Sequence, residues 1–416
     1  MAKRVMFYCQ HLLGMGHLVR SVEIARALVR DFSVLFVTGG EIPEGFRFPA
    51  NVETFELIPL KSSPDFSDLL LCDFSWDLEE TKTIRRELLL HAFDEFQPDI
   101  LITELFPFGR KQFSFELLPL LARAHSRVGK TMIVSSIRDI LVNRRDQASY
   151  EQRVCEIVNS LYDLVLVHGD EKYQTLEETF SRVADLECPV AYTGYVVQQS
   201  KAATTERGTV SAEHSQKPTI VVSNGSGKCP SGHLLLQSVL RAAPLLQKRI
   251  PHQLQVFAGP LIPDDIYENL QDMAAPSSNV TLARYTSDLP GALRRAQLSI
   301  SMAGYNTVMD ILTAGVRALV YPVTGNGDEE QSMRAGKLAA MGVLDVLETD
   351  QFEAARLAQK IEDALHGTPF RISFNAAGAA NSALLIKKYL ALQNDSLAVA
   401  PGIPDRLAVC AGGTGF

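Results

Sequence analysis

The sequence predicts two doubly wound α/β domains facing one another across a cleft, on three observations. At 416 residues the chain is too long for one ordinary core. Short apolar runs alternate with helical patterns in two successive arrays, one in each half. Between the arrays, residues 197–217 are polar, small and aperiodic, the composition of a linker. The expected division is a Rossmann-like domain over 1–196, the linker at 197–217, and a second Rossmann-like domain over 218–394. Residues 395–416, rich in Gly, Pro and Ala, read as an irregular tail.

In the first half the predicted strands are Val5–Cys9, Val34–Thr38, Asp99–Thr103, Met132–Ser135 and Leu164–His168. Each is rich in Val, Ile, Leu or Phe without strict alternation, as strands buried on both faces of a parallel sheet require. Leu18, Val22, Ala25, Leu28 and Val29 share one helical face, and 112–128 and 147–161 read as further helices. In the second half the predicted strands are Thr219–Ser223, Leu254–Ala258, Val280–Leu282, Leu298–Ser301 and Ala318–Pro322. Ligands of such sheets bind outside the carboxyl ends of the strands, which directs attention to the cleft.

Composition narrows the function classes. The net charge of −8 is spread along the chain and leaves no basic footprint for nucleic acid. The apolar run after Lys3 and Arg4 spans only Val5–Cys9, too short for a signal-peptide core. No run of about 18 apolar residues marks a membrane-spanning helix. The six cysteines, at 9, 72, 155, 188, 229 and 410, form no C-x-x-C pair and no Cys/His cluster. They read as reduced thiols, so a cytoplasmic location is expected, with peripheral membrane contact left open.

Four motifs fall at strand ends. Gly14-Met15-Gly16-His17 opens the first helix: its glycines permit close backbone approach, and His17 is a candidate base. It reads equally as an ordinary glycine turn with His17 capping the helix. Arg20 either contacts a substrate or pairs with Glu23. Ser223-Asn224-Gly225-Ser226-Gly227 resembles a phosphate-cradling loop, although it lacks the Walker lysine and the G-x-G-x-x-G spacing. Met302-Ala303-Gly304-Tyr305-Asn306-Thr307 turns from strand to helix through small residues, which suits a diphosphate on the helix N-terminus. Asp310, two turns on, is spaced to reach a ribose diol, and Asp328–Gln331 offers acceptors for sugar hydroxyls. Thr103-Glu104-Leu105-Phe106-Pro107-Phe108-Gly109-Arg110 is the fourth motif. Glu104 there is a second candidate acid or base and Arg110 a candidate substrate contact, or else the two pair with each other. Phe106, Phe108, Phe113 and Phe115 read as core packing or as a lipid-facing patch. No D-x-D sequence is present, which points to metal-independent chemistry with no cofactor, helix N-termini stabilising the leaving diphosphate.

Together these motifs resemble the MurG-type glycosyltransferases, most clearly over 4–30 and 218–345, and 95–195 looks closer to a bacterial branch of predicted glycosyltransferases. The resemblance implies the GT-B fold and inverting transfer from a UDP-sugar donor to a small-molecule or lipid-linked acceptor. It implies that His17 is a base or oxyanion partner and that Ser226 lies near the phosphates. Thr286 falls where uracil is read, and Gly304 and Tyr305 fall at the diphosphate-binding helix start. Asp310 stands where the family has a ribose-binding glutamate. Glu330 and Gln331 stand on a Gln-Gln pair that contacts the donor sugar. The glycine loop is also similar to that of PseG-type UDP-sugar hydrolases, in which a histidine activates water. A non-catalytic nucleotide-sugar-binding subunit is the third reading.

Overall fold

The computed structural model describes residues 2–12, 15–42, 46–63, 68–72, 77–127, 130–198, 217–323, 329–367, 370 and 372–399, with side chains to 393. Two parallel sheets organise it. The first contains β1 (Arg4–Cys9), β2 (Ser33–Thr38), β3 (Glu53–Glu56), β6 (Ile100–Glu104), β7 (Met132–Arg138), β8 (Leu164–His168) and β9 (Val190–Tyr192). A small antiparallel hairpin, β4 (Leu60–Ser62) with β5 (Leu69–Leu71), stands outside it. The strand order is β3-β2-β1-β6-β7-β8-β9, and every pairing is parallel. The second sheet contains β10 (Thr219–Ser223), β11 (Gln253–Phe257), β12 (Val280–Ala283), β13 (Leu298–Met302), β14 (Arg317–Tyr321) and β15 (Asp345–Val346), in the order β12-β11-β10-β13-β14-β15.

The first sheet's central strands are closed to solvent on both faces, as their unbroken apolar sequences require. In each sheet the winding reverses at one place, between β1 and β6 and between β10 and β13. Loops leaving the carboxyl ends of these strands diverge there and open a crevice. The four motifs are the loops after β1, β6, β10 and β13. The sheet topology therefore gathers segments from residue 15 to residue 307 around one space.

The elements that frame that space are α1 (Gly16–Leu28), α2 (Leu78–Phe96), α3 (Ser114–Ser126), α4 (Gln147–Leu161), α5 (Pro230–Arg249), α6 (Asp264–Ala274), α7 (Leu289–Arg295), α8 (Tyr305–Ala314), α9 (Glu330–Ala340), α10 (Ala354–His366) and α11 (Gly378–Val399).

The domain division expected from sequence differs at its far end. Helix α11 continues through Val399, into the stretch read as a tail, and it packs on the first domain rather than the second. Its Ala383 and Ile386 join Leu18, Val22 and Val5 in one buried cluster. Burying an apolar face decides where a helix belongs, whatever its place in the chain. The segment 199–216 of the expected linker and the segment 400–416 of the expected tail lie outside the described residues. Among the described residues no helix is long and apolar enough to cross a membrane. Phe106, Phe108 and Phe113 are buried in the first domain's core, with Phe115 packed against it, so packing and not lipid contact accounts for the aromatic run.

Candidate functional site

A cleft of about 1160 Å³ separates the two domains and is lined by the four motifs. At its centre, His17 Nδ1 lies 2.5 Å from Glu104 Oε1, and Arg20 Nη2 donates to the same oxygen at 2.5 Å. His17 stands in the first turn of α1 because Gly16 opens that helix. Glu104 ends β6, whose carboxyl end faces the same turn. The His17 side chain is 16% exposed and reachable from the cleft, whereas that of Glu104 is 0% exposed and lies behind it. Glu104 is therefore no candidate for direct proton transfer with a substrate. It holds and polarises His17.

Charge follows this geometry. Burial is the largest influence on His17 and pushes its imidazole below the ordinary 6.5, reinforced by Arg110 and Arg138 against the pull of Glu104. Burial alone would raise Glu104, but His17 and the guanidiniums of Arg20 and Arg110 outweigh it and hold the carboxyl well below the usual range. A neutral imidazole beside a carboxylate donates its Nδ1–H to it, which leaves the lone pair on Nε2.

Arg20 lines the cleft and does not form the expected pair with Glu23. It is 2% exposed, bonded to Glu104 and not to Glu23, and its guanidinium lies 5.4 Å from the Tyr305 ring centroid. Glu23 instead pairs with Arg26. Arg110 and Glu104 form no ion pair. Arg110 adopts a left-handed conformation (φ 60°) at the end of the β6 loop and lines the cleft.

The second domain supplies the facing wall. Gly304 caps α8, and a Cβ added to it would meet nothing within 4 Å, so its space is open to the cleft. Thr307 and Asp310 line the same wall, as do Ser223, Gly225, Ser226, Thr286 and Gln331. Gly225 and Gly227 have positive φ of 58° and 87°, and a side chain on Gly227 would strike Ile262 N at 2.8 Å. Asp310 is 2% exposed, and burial, with Glu23 nearby, pushes its carboxyl up to about 8. A protonated carboxyl both donates and accepts, which suits a diol. Gln331 Oε1 accepts from Val323 N at 3.1 Å.

Three residues expected to contact substrate line the cleft with side chains that already have protein partners. The Tyr305 hydroxyl donates to His168 O at 3.0 Å and accepts from Val196 N at 3.2 Å, so its side chain pins the domains together. Its ring sits between Arg20 and Arg334, one cation from each domain. Glu330 bonds Arg138 across the cleft and Arg334 at 2.9 Å, and Arg334 in turn bonds Asp139 at 3.0 Å. Burial would raise Glu330, but Arg138 and then Arg334 hold its carboxyl low. Asn306 Nδ2 donates to Gly16 O at 3.2 Å and ties the α8 start to the His17 turn. Gly14 and Asp328 lie outside the described residues.

Sequence reading missed Arg138, Asp139 and Arg334. The available signal was an Arg-Asp pair at the carboxyl end of buried β7, where ligand sites of such sheets lie. Among the described residues no group of three His, Cys, Asp or Glu is placed to hold a metal ion.

Residues 214–390 match the glycosyltransferase family 28 C-terminal domain. Curated relatives align over part of the chain. A UDP-N-acetylglucosamine--N-acetylmuramyl-(pentapeptide) pyrophosphoryl-undecaprenol N-acetylglucosamine transferase of Rhodopseudomonas palustris (strain BisA53) is 36% identical over 101 residues, 24% of this chain and 27% of that protein. The Methylobacterium radiotolerans protein of the same name is 26% identical over 166 residues, 39% of this chain and 43% of that one. The chain thus spans about a quarter to under a half of the length of these relatives. Among solved structures, Acinetobacter baumannii MurG superposes with a TM-score of 0.54 at 15% identity, covering 94% of this chain and 99% of that one. The glycotransferase of kitacinnamycin gives 0.58 at 13% identity, covering 94% and 100%. A Polygonum tinctorium UDP-glucosyltransferase gives 0.58 at 12%, covering 94% and 99%. The fold is GT-B, and the family match lies in the C-terminal half.

Proposed function

We propose that the chain is an inverting glycosyltransferase that moves a sugar from a UDP-sugar to the hydroxyl of a small-molecule or lipid-linked acceptor. The observation that carries this reading is one cleft lined on one wall by His17, with its carboxylate behind it, and on the other by the open N-terminus of α8.

In this reading the second domain holds the donor. The diphosphate lies against Gly304 and the free N–H groups of α8, with the Ser223–Gly227 loop beside it. Thr286 faces the base and Asp310 the ribose. His17 Nε2 removes the acceptor proton as the acceptor oxygen attacks C1. The C1–O bond to the diphosphate breaks on the opposite face, and UDP departs with that electron pair. Glu104 stabilises the imidazolium that forms, and helix dipoles with arginines, no metal, offset the leaving charge.

The test is UDP release from a panel of UDP-sugars, with and without candidate acceptors, in the wild type and His17→Ala. Acceptor-dependent release that His17→Ala loses is expected. Free sugar released without any acceptor marks a hydrolase instead. A UDP-sugar that binds and is never turned over marks a binding subunit and overturns transfer.

A further inference from the structure

Two consecutive side chains on the second domain's wall reach across to the helix that carries His17. Helix α8 begins at Tyr305, and it abuts α1. Asn306 Nδ2 donates to Gly16 O, the carbonyl immediately before His17, at 3.2 Å. The Tyr305 ring centroid lies 5.4 Å from the Arg20 guanidinium. Asn306 and Tyr305 thus hold the residue one before His17 and the residue three after it, the two ends of one helical turn.

Both targets depend on these contacts. The start of α1 has no side-chain cap from Met15, and Gly16 has no side chain to pack, so the Asn306 amide anchors it from outside. Arg20 Nη2 lies 2.5 Å from Glu104 Oε1 and 3.4 Å from His17 Nδ1, while its Nε is buried with no hydrogen-bond partner. A guanidinium held by hydrogen bonds at one corner relies on the aromatic face to fix its plane. That face is itself immobile. The Tyr305 hydroxyl donates to His168 O at 3.0 Å and accepts from Val196 N at 3.2 Å, and Arg334 lies 5.1 Å from the ring centroid. Position then passes from Tyr305 to Arg20, from Arg20 to Glu104, and from Glu104 to His17. Such alignment matters, because a displacement of about 1 Å in a reacting group can cost about 10²-fold in rate.

We propose that Tyr305 and Asn306 are positioning residues for His17, so that the turn of α8 that receives the donor's diphosphate also sets the base against it. This rests on the transferase reading and deepens it by naming what aligns its base. Donor seating and base alignment are then a single rigid unit, although they belong to different domains.

The test measures kcat, donor KM and the pH dependence of kcat/KM, beside UDP affinity and thermal midpoint. The variants are Asn306→Ala, Asn306→Gln, Tyr305→Leu, Tyr305→Phe and His17→Ala. Asn306→Ala should lower kcat about tenfold, the worth of one hydrogen bond, with UDP affinity held. Tyr305→Leu should lower it about 10²-fold. In both, the loosened turn admits water to the imidazole, so the acidic limb should move up toward the ordinary 6.5. Tyr305→Phe keeps the ring on Arg20 and Asn306→Gln keeps an amide donor, so each should recover most of the loss. A wild-type kcat and acidic limb in Asn306→Ala and Tyr305→Leu overturn the proposal, whatever their midpoints. A rise in donor KM at unchanged kcat overturns it too, since the two side chains are then donor contacts only. If Tyr305→Leu fails to fold, Asn306→Ala decides alone. Activity kept in His17→Ala overturns the base reading instead, a result distinct from the others.

Discussion

His17 Nδ1 and Glu104 Oε1 lie 2.5 Å apart, although 87 positions separate the two residues in the chain. The contact fixes the tautomer of His17 and turns its Nε2 outward as the basic atom. Arg20, bonded to the same carboxylate oxygen, keeps Glu104 ionised and in place. Each of the following expectations depends on that arrangement or on the wall that faces it.

Replacing His17 by Ala should lower kcat by about 10²–10⁴-fold, the usual contribution of a general base. Glu104→Gln keeps an acceptor oxygen against Nδ1 and loses the charge, so its kcat should fall by less. UDP affinity should be unchanged in both. Steady-state kinetics beside UDP titration calorimetry decides it, and an effect under tenfold for His17→Ala removes the residue from the role.

The pH profile carries a sign. A general base works unprotonated, and protonation removes activity as pH falls through its pKa. Because burial holds His17 below 6.5, the acidic limb of kcat/KM should lie below the ordinary histidine range. A limb centred at 6.5 or above, absent in Glu104→Gln and present in the wild type, would contradict the buried neutral imidazole.

Asp310 is expected to act on both UDP binding and stability. Asp310→Ala should weaken UDP by about tenfold, the loss of one or two hydrogen bonds. The folded-state value of about 8 exceeds the ordinary 3.8, so the folded chain retains a proton that the unfolded chain releases as pH rises. Stability from this group is therefore complete below about 3.8 and lost on the way up to about 8. Asp310→Asn should melt higher than the wild type at pH 8, and the advantage should vanish near pH 3.8. Thermal midpoints measured across that range give the answer.

Glu330 bonds cations from both domains, Arg138 and Arg334, and is 4% exposed. Glu330→Gln leaves the Arg138 guanidinium without its carboxylate and Arg334 with Asp139 alone, and removing one partner of a buried pair costs about 3–5 kcal/mol. The midpoint should drop, and small-angle scattering should show a more open pair of domains. An unchanged midpoint and radius would mean that Tyr305 and Asn306 suffice to hold the cleft closed.

Two glycines should respond in opposite ways. Gly304 has open space where a side chain would stand, so Gly304→Val should keep its thermal midpoint and lose UDP affinity. Gly227 has φ 87° and Ile262 N at 2.8 Å from an added Cβ, so Gly227→Ala should lower the midpoint. Equal behaviour of the two would refute the view that the cleft lies over Gly304.

By itself the sequence determined the core strands of both sheets and which of their loops meet the cleft. Leu164–His168, Thr219–Ser223 and the helix over 147–161 were readable residue for residue, because apolar periodicity is local. The glycine turns before His17 and before Tyr305 were legible for the same reason. The edge strands β3, β9 and β15 were not, being short, half-exposed and weakly apolar. Only the tertiary structure decided what each charged or aromatic side chain does. Arg20 reaches a carboxylate 84 positions away, and Arg334 reaches one 195 away. The Tyr305 side chain acts as a clasp and Glu330 forms a cross-domain ion pair, while both line the cleft. Helix α11 returned to the first domain to bury its apolar face. Local spacing places a residue on an element, but the partner that fixes its protonation and its role arrives from elsewhere in the chain when the two sheets close.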